Sequence, residues 1–280
     1  MSQATTKIKT RIKSVSGAYK VTSAMKLISN VKLKQWRNKM LSHKDYMKEV
    51  EEIASLILAY AKKWQSPYSM INEGANKNLY LIVSSTLGLC GGYNTNIFKV
   101  SDAAIKEEDE AIILGGKGIS HYENGSFKTI PGFGDYSSIS NEDIVKKICK
   151  YILNEYKNGK YREIHIIYTE YKNSLMFLAK DYQLLPLKIK DVNDDNYSPI
   201  MEPSPKELLD EVIPFYLESI IYSKLLESEV CEQGARSNAM ENATKNAEDI
   251  LQELQIEFNK ARQASITQEI IEIVAASKTI

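Results

Sequence analysis

The feature that most constrains this fold is a stretch of helical composition over residues 206–277, which contains a single proline, Pro214. Alanine, glutamate, leucine, lysine, glutamine and isoleucine fill it, and these residue types favour helix. Small or apolar residues recur in steps of three and four, on one helix face: Met240, Ala243, Ala247, Ile250 and Leu254. Such a helix would span roughly 100 Å at 1.5 Å per residue, more than a domain of this size, so it requires a partner.

The start of the chain contains a second long helical pattern. Its apolar seam reads Ile8, Ile12, Val15, Tyr19, Thr22 and then, after polar residues at Lys26 and Ser29, Leu33, Trp36, Met40, His43, Met47, Val50, Ala54, Ile57, Ala61 and Trp64. Alternating steps of four and three make a 3.5-residue repeat, which is typical of a left-handed coiled coil. The pattern predicts a helix over residues 5–64, ended at Ser66 and Pro67.

Charge favours pairing of the two ends. The chain has 36 basic and 36 acidic residues, but residues 1–44 hold eleven Lys or Arg, with no Asp or Glu before Asp45. Residues 206–278 hold fourteen acidic residues and seven basic ones. Opposite charge of this kind favours packing of one segment against the other. A mitochondrial transit peptide is an alternative for the basic start, but that segment is rich in Lys rather than Arg and its periodicity continues too far.

The middle of the chain alternates short apolar runs with helical patterns. Strands are predicted at residues 79–83, 111–114, 163–168 and 184–189, the last an edge or irregular strand because of Pro186. Helices are predicted at residues 96–107 and, capped by Asn141 or Ser140, at residues 141–156. The fold class is therefore an α/β insert domain with a small, mostly parallel sheet between two long terminal helices that form an antiparallel coiled coil. The domains are 1–65, 66–205 and 206–280, with a loop over residues 191–205 and a kink or short break at Pro214.

Motifs for chemistry are sparse. The turn with Gly88, Gly91 and Gly92 has neither dinucleotide-binding nor phosphate-loop spacing, so tight strand-to-helix turns explain its glycines better than a bound nucleotide. No nucleophile, base and oxyanion set is present, and we expect no cofactor and no metal site.

The three cysteines are far apart in the sequence, which argues against a disulfide framework, and a reducing compartment is expected. Basic residues on the first helix lack interleaved aromatics, so nucleic acid is not an expected partner.

A structural role is the simplest interpretation of several individual residues. His43 falls on the seam and is expected to be a packing residue. His165, in an apolar strand, is expected to be a core histidine with satisfied hydrogen bonds. Cys90 is a packing residue or, less simply, a reactive thiol. The acidic run at residues 107–110 is expected to be a solvated helix end.

Three segments together resemble the gamma subunit of F-type ATP synthases. They are residues 11–15 with 19–28, the run Gly-Leu-Cys-Gly-Gly-Tyr-Asn-Thr-Asn-Ile-Phe-Lys at residues 88–99, and residues 253–270, which include Asn-Lys-Ala-Arg-Gln-Ala-Ser-Ile-Thr-Gln-Glu. Their order, their spacing and the helix, α/β, helix plan extend the resemblance over essentially the whole chain.

The resemblance implies a central rotor shaft without an active site. The paired helices would stand inside a hexamer of alpha and beta subunits, and the α/β domain would be a foot that meets an epsilon-like subunit and a membrane ring, at the cytoplasmic face of the cell membrane. Hexamer contacts are expected from Arg262, Gln263, Thr267 and Glu269, with Met25 and Lys26 alongside, and ring-facing contacts from Met201 and Glu202. The apolar residues 270–274 would sit in a low-friction sleeve or, alternatively, pack within the coil.

Four departures from the family pattern leave a second hypothesis. Residues 86–87 are Thr-Leu where Asp-Arg is usual, the segment 197–203 has a single tyrosine before its Glu-Pro, Lys26 replaces a common acidic residue, and Pro214 is unexpected. Most of these lie in the foot or near its junction with the last helix. The alternative is therefore a specialised ATP-hydrolysing motor of the same type, whose foot engages a partner other than the proton-conducting ring.

Overall fold

A computed structural model describes residues 3–60, 67–134, 141–173, 176–187, 202 and 204–277. Helix α1, Gln3–Tyr60, has 58 residues, and the last helix, α5, Pro205–Ser277, has 73. Between them, in chain order, lie β1 (Leu79–Val83), α2 (Tyr93–Ala104), β2 (Glu110–Leu114), α3 (Gly116–His121), β3 (Lys128–Thr129), α4 (Glu142–Lys157), β4 (Ile164–Tyr171) and β5 (Phe177–Leu185). The predicted plan of two long helices flanking an α/β insert is confirmed. The predicted helix end at Ser66 and most of the predicted loop at residues 191–205 lie outside the described residues.

The five-stranded sheet has the order β3-β2-β1-β4-β5. Strand β1 pairs in parallel with β2 and β4, β2 pairs in parallel with β3, and β4 pairs with β5 antiparallel. The mostly parallel sheet is therefore confirmed, but its last strand begins at Phe177 rather than at residue 184. Lys180 and Asp181 lie exposed in that edge strand. Charges of this kind are common on edge strands and hide the apolar alternation.

The sheet core explains why the insert folds. Every residue of β1 and β2 is buried, as expected for strands covered on both faces. Helix α4 buries one face in that core, through three isoleucines spaced four residues apart: Ile144, Ile148 and Ile152. Its first turn is capped by Asn141, whose side-chain oxygen accepts a hydrogen bond from the Asp143 amide at 3.0 Å, as predicted.

The seam of α1 continues through Lys26 and Ser29, the two polar residues that separate its apolar runs in the sequence. Lys26 is only half-exposed and Ser29 is buried, at the positions that the 3.5-residue repeat assigns to the helix interface. In contrast, Leu27 and Ile28 are 63% and 57% exposed. The seam therefore contains polar residues, while neighbouring apolar residues face outward.

Helix α5 has no break at Pro214, which corrects that alternative of the sequence analysis. A proline removes one amide donor from a helix, so the helix loses the bond to the carbonyl four residues earlier. Burial of Ile213 and Leu217 on either side of it in the core compensates for this loss. The Pro214 carbonyl also accepts a hydrogen bond from the Cys149 thiol, at 3.4 Å.

Grouped by contacts, the chain forms two compact units, and each takes part of both long helices. One unit consists of Met1–Asn30 and Arg236–Ile280, which we call the helix-pair unit. The other consists of Val31–Ala235 and contains the whole sheet, and we call it the sheet unit.

Candidate functional site

Polar contacts set the register of the helix-pair unit. The Ser237 hydroxyl donates to the Asn30 side-chain oxygen at 2.6 Å, and the Thr244 hydroxyl donates to that of Thr22 at 2.9 Å. Between these two contacts, the Lys26 amine lies 3.3 Å from the Glu241 carboxylate. The numbers rise on one helix as they fall on the other, so the helices are antiparallel. Directional polar contacts in a seam specify one register at some cost in stability.

This register separates the predicted site residues into two groups. Met25 and Lys26 lie beside residue 241, whereas Arg262 lies roughly 20 residues further along α5, about 30 Å away at 1.5 Å per residue. The expectation that Met25 and Lys26 lie alongside the C-terminal group is therefore wrong. The sequence motifs could not show this, because the distance depends on how the two helices are aligned.

The C-terminal group lies on an uncovered part of α5. Leu254 is its last buried residue in the described chain, and Arg262, Gln263, Thr267 and Glu269 are all exposed. Two polar contacts here are made within the helix: the Ser265 hydroxyl donates to Glu269 at 3.4 Å, and Gln268 donates to Glu272 at 2.8 Å.

Large apolar side chains are also exposed at this end of α5. The exposed fractions are 55% for Ile270, 56% for Ile271, 69% for Ile273 and 49% for Val274. Packing of these residues within the coil, the second alternative for the tip, does not fit this exposure. Contiguous exposed apolar residues mark a surface that another protein covers.

Of the two candidate foot residues, the structure describes only Glu202. Met201 lies outside the described residues. Glu202 is exposed and lies three residues before α5 begins at Pro205.

The glycine-rich turns of the sheet unit serve packing. The Ser84 hydroxyl, at the end of β1, accepts a hydrogen bond from the Gly118 amide at 2.9 Å and donates to the Leu114 carbonyl at 2.7 Å. Gly115 has φ +93°, and a β-carbon on Gly115 or Gly118 would collide with Ser84. The Ser84 hydroxyl thus occupies the N-terminus of α3, where free backbone amides could otherwise hold an anion. The turn at Gly88, Gly91 and Gly92 leads directly into α2, and the positive φ of Gly91, +57°, supports its interpretation as a tight turn.

Helix α5 covers the crevice where such folds usually bind their ligand. In an open parallel sheet that crevice lies at the carboxyl ends of the two strands where the chain order reverses, here β1 and β4. The Thr169 amide donates to the Ser228 hydroxyl of α5 at 3.2 Å. Cys90 and Tyr93 pack beside Cys231 of the same helix. The crevice is therefore occupied by the chain itself, and Cys90 is a buried packing residue.

The expectation of a solvated helix end at residues 107–110 is wrong for the second half of the run, since Glu107 and Glu108 are exposed but the next two residues are buried. Asp109 is buried and accepts hydrogen bonds from the amides of Asn78 and Lys106, at 2.7 and 2.9 Å. Glu110 is buried in β2. Its carboxylate accepts a hydrogen bond from the Tyr161 hydroxyl at 2.6 Å.

Three lysines surround the Glu110 carboxylate: Lys77 at 2.7 Å, Lys160 at 3.4 Å and Lys128 at 3.7 Å. Burial works against its charge, but the hydrogen bonds from Lys77 and Tyr161 and the charge of Lys160 lower the pKa of Glu110 to about 2. The lysines come from separate parts of the chain, so the sequence contains no local signal of this cluster.

Two histidines take the structural places expected of them, with particular partners. Half-buried His43 donates from Nε2 to the Ser219 carbonyl at 3.3 Å. His165 lies between Asp181 at 2.8 Å and Glu163 at 3.2 Å, so its hydrogen bonds are satisfied by carboxylates. Burial opposes the His165 charge, but these two carboxylates raise the pKa of His165 above its usual value.

The fold is similar to that of a known central stalk. It matches a chain of the cryo-EM structure of the Tetrahymena thermophila mitochondrial ATP synthase, described as central stalk and c-ring, with a TM-score of 0.60. The match covers 80% of this chain and 99% of the other at 21% identity, so it shows the fold. The chain therefore has the fold of that central-stalk chain, with two long helices around an α/β insert.

Sequence comparison identifies the family. The ATP synthase family profile matches residues 4–280. The ATP synthase gamma chain of Mycoplasma mobile is 38% identical over an alignment of 282 positions that covers 98% of each chain. That of Ruminiclostridium cellulolyticum is 35% identical over 288 residues, covering 98% of this chain and 97% of the relative. The chain therefore belongs to the ATP synthase gamma-chain family.

Membership of this family gives the function as the central rotor shaft of an ATP synthase. The match to named gamma chains includes the sheet unit, so it favours the ordinary shaft over the specialised motor with a replaced foot partner. Within the described residues, no helix is long and apolar enough to span a membrane.

Proposed function

We propose that residues 255–277 of α5 turn inside a hexamer of three alpha and three beta subunits, and that this chain holds no active site of its own. The observation that carries the proposal is the exposure of this helix end, where isoleucines and a valine lie uncovered after Leu254. Such a surface is costly in water and is stabilised when a partner encloses it. A smooth apolar surface of the hexamer around the tip would support it without fixing the rotational angle of the shaft.

The exposed polar residues before the tip would act as the switching contacts. Arg262, Gln263, Thr267 and Glu269 present donors and acceptors that a neighbouring beta subunit can bind at one angle and release at another. Met25 and Lys26 belong to a second level of contacts, beside Glu241. The shaft would then contact the hexamer at two levels along its axis rather than at a single level.

The sheet unit would be the foot. We infer that it meets an epsilon-like subunit and the membrane rotor ring, with Met201 and Glu202 facing the ring. Glu202 is exposed, as a contact residue must be before assembly. The complex would be peripheral, at the cytoplasmic face of the cell membrane, and no nucleic acid is required as a partner.

The test is ATP-driven rotation of this shaft in a complex assembled with its own alpha and beta subunits. The double change Arg262→Ala and Gln263→Ala should reduce the rotation rate about 30-fold, since two polar contacts of about 1 kcal/mol each are lost. The matched control is Arg37→Ala with Gln35→Ala, an exposed pair on α1 in the sheet unit. The control should rotate at the wild-type rate.

Equal rotation of both variants and wild type would contradict the role of the C-terminal group. Failure of the unaltered chain to assemble with alpha and beta subunits would contradict the proposal as a whole. For the foot, purification of the full complex should recover the ring, and recovery without it would favour a replaced partner.

A further inference from the structure

A small cavity in the sheet unit has an unusual lining. It measures about 240 Å³ and lies among α1, α4 and α5. Four residues with rings line it, His43, Tyr46, Phe215 and Tyr222, together with Glu142 and Glu218. These six residues are called the aromatic cage below.

The rings of the aromatic cage meet at steep angles. His43 and Tyr222 are T-shaped, with centroids 4.9 Å apart and an interplanar angle of 85°. Tyr46 and Phe215 are also T-shaped, at 6.3 Å and 83°. His43 joins the two pairs, since its ring lies 5.5 Å from that of Tyr46. Aromatic faces set at angles around a cavity attract a cation through their quadrupoles.

The charge of the aromatic cage is negative. Its lining contains no lysine or arginine, and in the described part of the chain Glu142 and Glu218 form no ion pair. Burial and, after it, the charge of Glu142 raise the pKa of Tyr222 above its usual value. Burial also lowers the pKa of His43, so a neutral imidazole leaves the cage without a positive charge.

We propose that the aromatic cage binds the guanidinium or ammonium group of an arginine or lysine side chain from a partner protein. The volume favours a single side chain, because pockets for larger small molecules measure about 300–1,000 Å³. Phe215 and Tyr46 remain 49% and 45% exposed, a rim that a covering protein would bury. The six residues are distinct from the hexamer contacts of the helix-pair unit, so this proposal and the proposed function fail independently.

The first test measures recognition by the full-length chain. Ring signals of Tyr46, Phe215 and Tyr222 would be followed by NMR during titration with N-acetyl-arginine amide and with its neutral analogue, N-acetyl-citrulline amide. We expect saturable shifts with the arginine compound and roughly tenfold weaker binding of the citrulline compound. Equal binding of the two compounds would overturn the proposal.

Variants test whether the two glutamate carboxylates contribute to binding of the cation. Glu142→Gln combined with Glu218→Gln should weaken binding of the arginine compound by about tenfold. The matched control is Glu211→Gln, an exposed glutamate of α5 outside the cavity, which should bind as wild type does. Unchanged binding by the double variant, with circular dichroism showing a folded chain, would contradict the role of the cage.

The second test identifies the source of the cation. A photoreactive benzoylphenylalanine in place of Phe215, in the assembled complex, should cross-link to a partner peptide that carries lysine or arginine beside the linked residue. Choline, as a free organic cation, provides the comparison in the NMR titration. Tighter binding of choline than of the arginine compound, with no cross-linked protein, would show that the cage binds a small molecule. That result would overturn the proposal that a side chain of a partner protein occupies it.

Discussion

The helix-pair unit and the sheet unit hold their helices by different chemistry. In the helix-pair unit, the contacts that set the register are polar: Lys26 with Glu241, Thr22 with Thr244, and Asn30 with Ser237. In the sheet unit, the middle of α5 is buried in a core shared with β1 and α4. Hydrophobic burial supplies most of the stability of a domain, and polar contacts supply a specific alignment. The comparison indicates that the sheet unit is built for stability and the helix-pair unit for alignment and contact with partners.

Exposure of apolar residues shows the same contrast. In the sheet unit, Leu81 and Ile148 are fully buried, whereas Ile270 and Ile273 of the helix-pair unit are 55% and 69% exposed. Similar residue types are therefore buried in the core of one unit and exposed at the helix end of the other.

The largest expected effect compares these two environments. Leu81→Ala should lower the free energy of unfolding by about 2–5 kcal/mol, because it leaves a cavity in the sheet core. Ile270→Ala should change it by less than about 0.5 kcal/mol, since the side chain is exposed in the isolated chain. Urea denaturation of the isolated chain, followed by circular dichroism, measures both. A comparable loss in Ile270→Ala would mean that the tip packs within the chain and would break the comparison.

An intermediate effect is expected from the buried carboxylate of β2. Glu110→Gln should cost about 1–3 kcal/mol at pH 7, because it removes charge-assisted hydrogen bonds with Lys77 and Tyr161. The pKa of Glu110 is lowered in the folded chain to about 2, so its contribution is fully present above the ordinary value of 4.5. That contribution is lost as the pH falls through about 2.

The pH profile tests this assignment. Wild type should lose stability relative to Glu110→Gln between about pH 4.5 and pH 2, as the carboxylate takes up a proton. Glu108→Gln, an exposed glutamate two positions earlier, is the control and should follow the wild-type profile. Parallel profiles of wild type and Glu110→Gln would show that the lysine cluster does not hold this charge.

The smallest effect is expected from the ion pair of the helix-pair unit. A double-mutant cycle with Lys26→Ala and Glu241→Ala should give a weak coupling that decreases further with added salt, because both side chains are partly exposed. Denaturation at low and high ionic strength measures it. A salt-independent coupling as large as the Glu110 effect would show that this seam is held as firmly as the sheet core.

Periodicity was sufficient for the elements with strong local signals. The 3.5-residue seam predicted α1, and buried residues such as Val50 and Ile57 lie on it. Asn141 with two acidic residues after it predicted the start of α4. Strands β1 and β2 were visible as continuous apolar runs. In each case, the residues that stabilise the element are neighbours in the sequence.

Contacts between distant segments could not be predicted in this way. Glu110 looked like a member of an acidic surface run, because its partners Lys77, Lys128 and Lys160 are supplied by other elements. Strand β5 was mostly missed, since its charged residues hide the alternation and its pairing with β4 stabilises it. Lys26 was left out of the predicted seam as a polar residue between two apolar runs, although Glu241 of the facing helix makes it part of that seam.

The sequence by itself determined the two long helices, the α/β insert and the resemblance to ATP synthase gamma subunits, because periodicity, capping and motifs are properties of neighbouring residues. Only the tertiary structure decided which groups lie together. It separated Met25 and Lys26 from Arg262 by about 30 Å, through the register of two helices. It also placed His43, Tyr46, Phe215 and Tyr222 around one cavity. The physical reason is that distances between segments depend on packing and alignment, which no local pattern encodes.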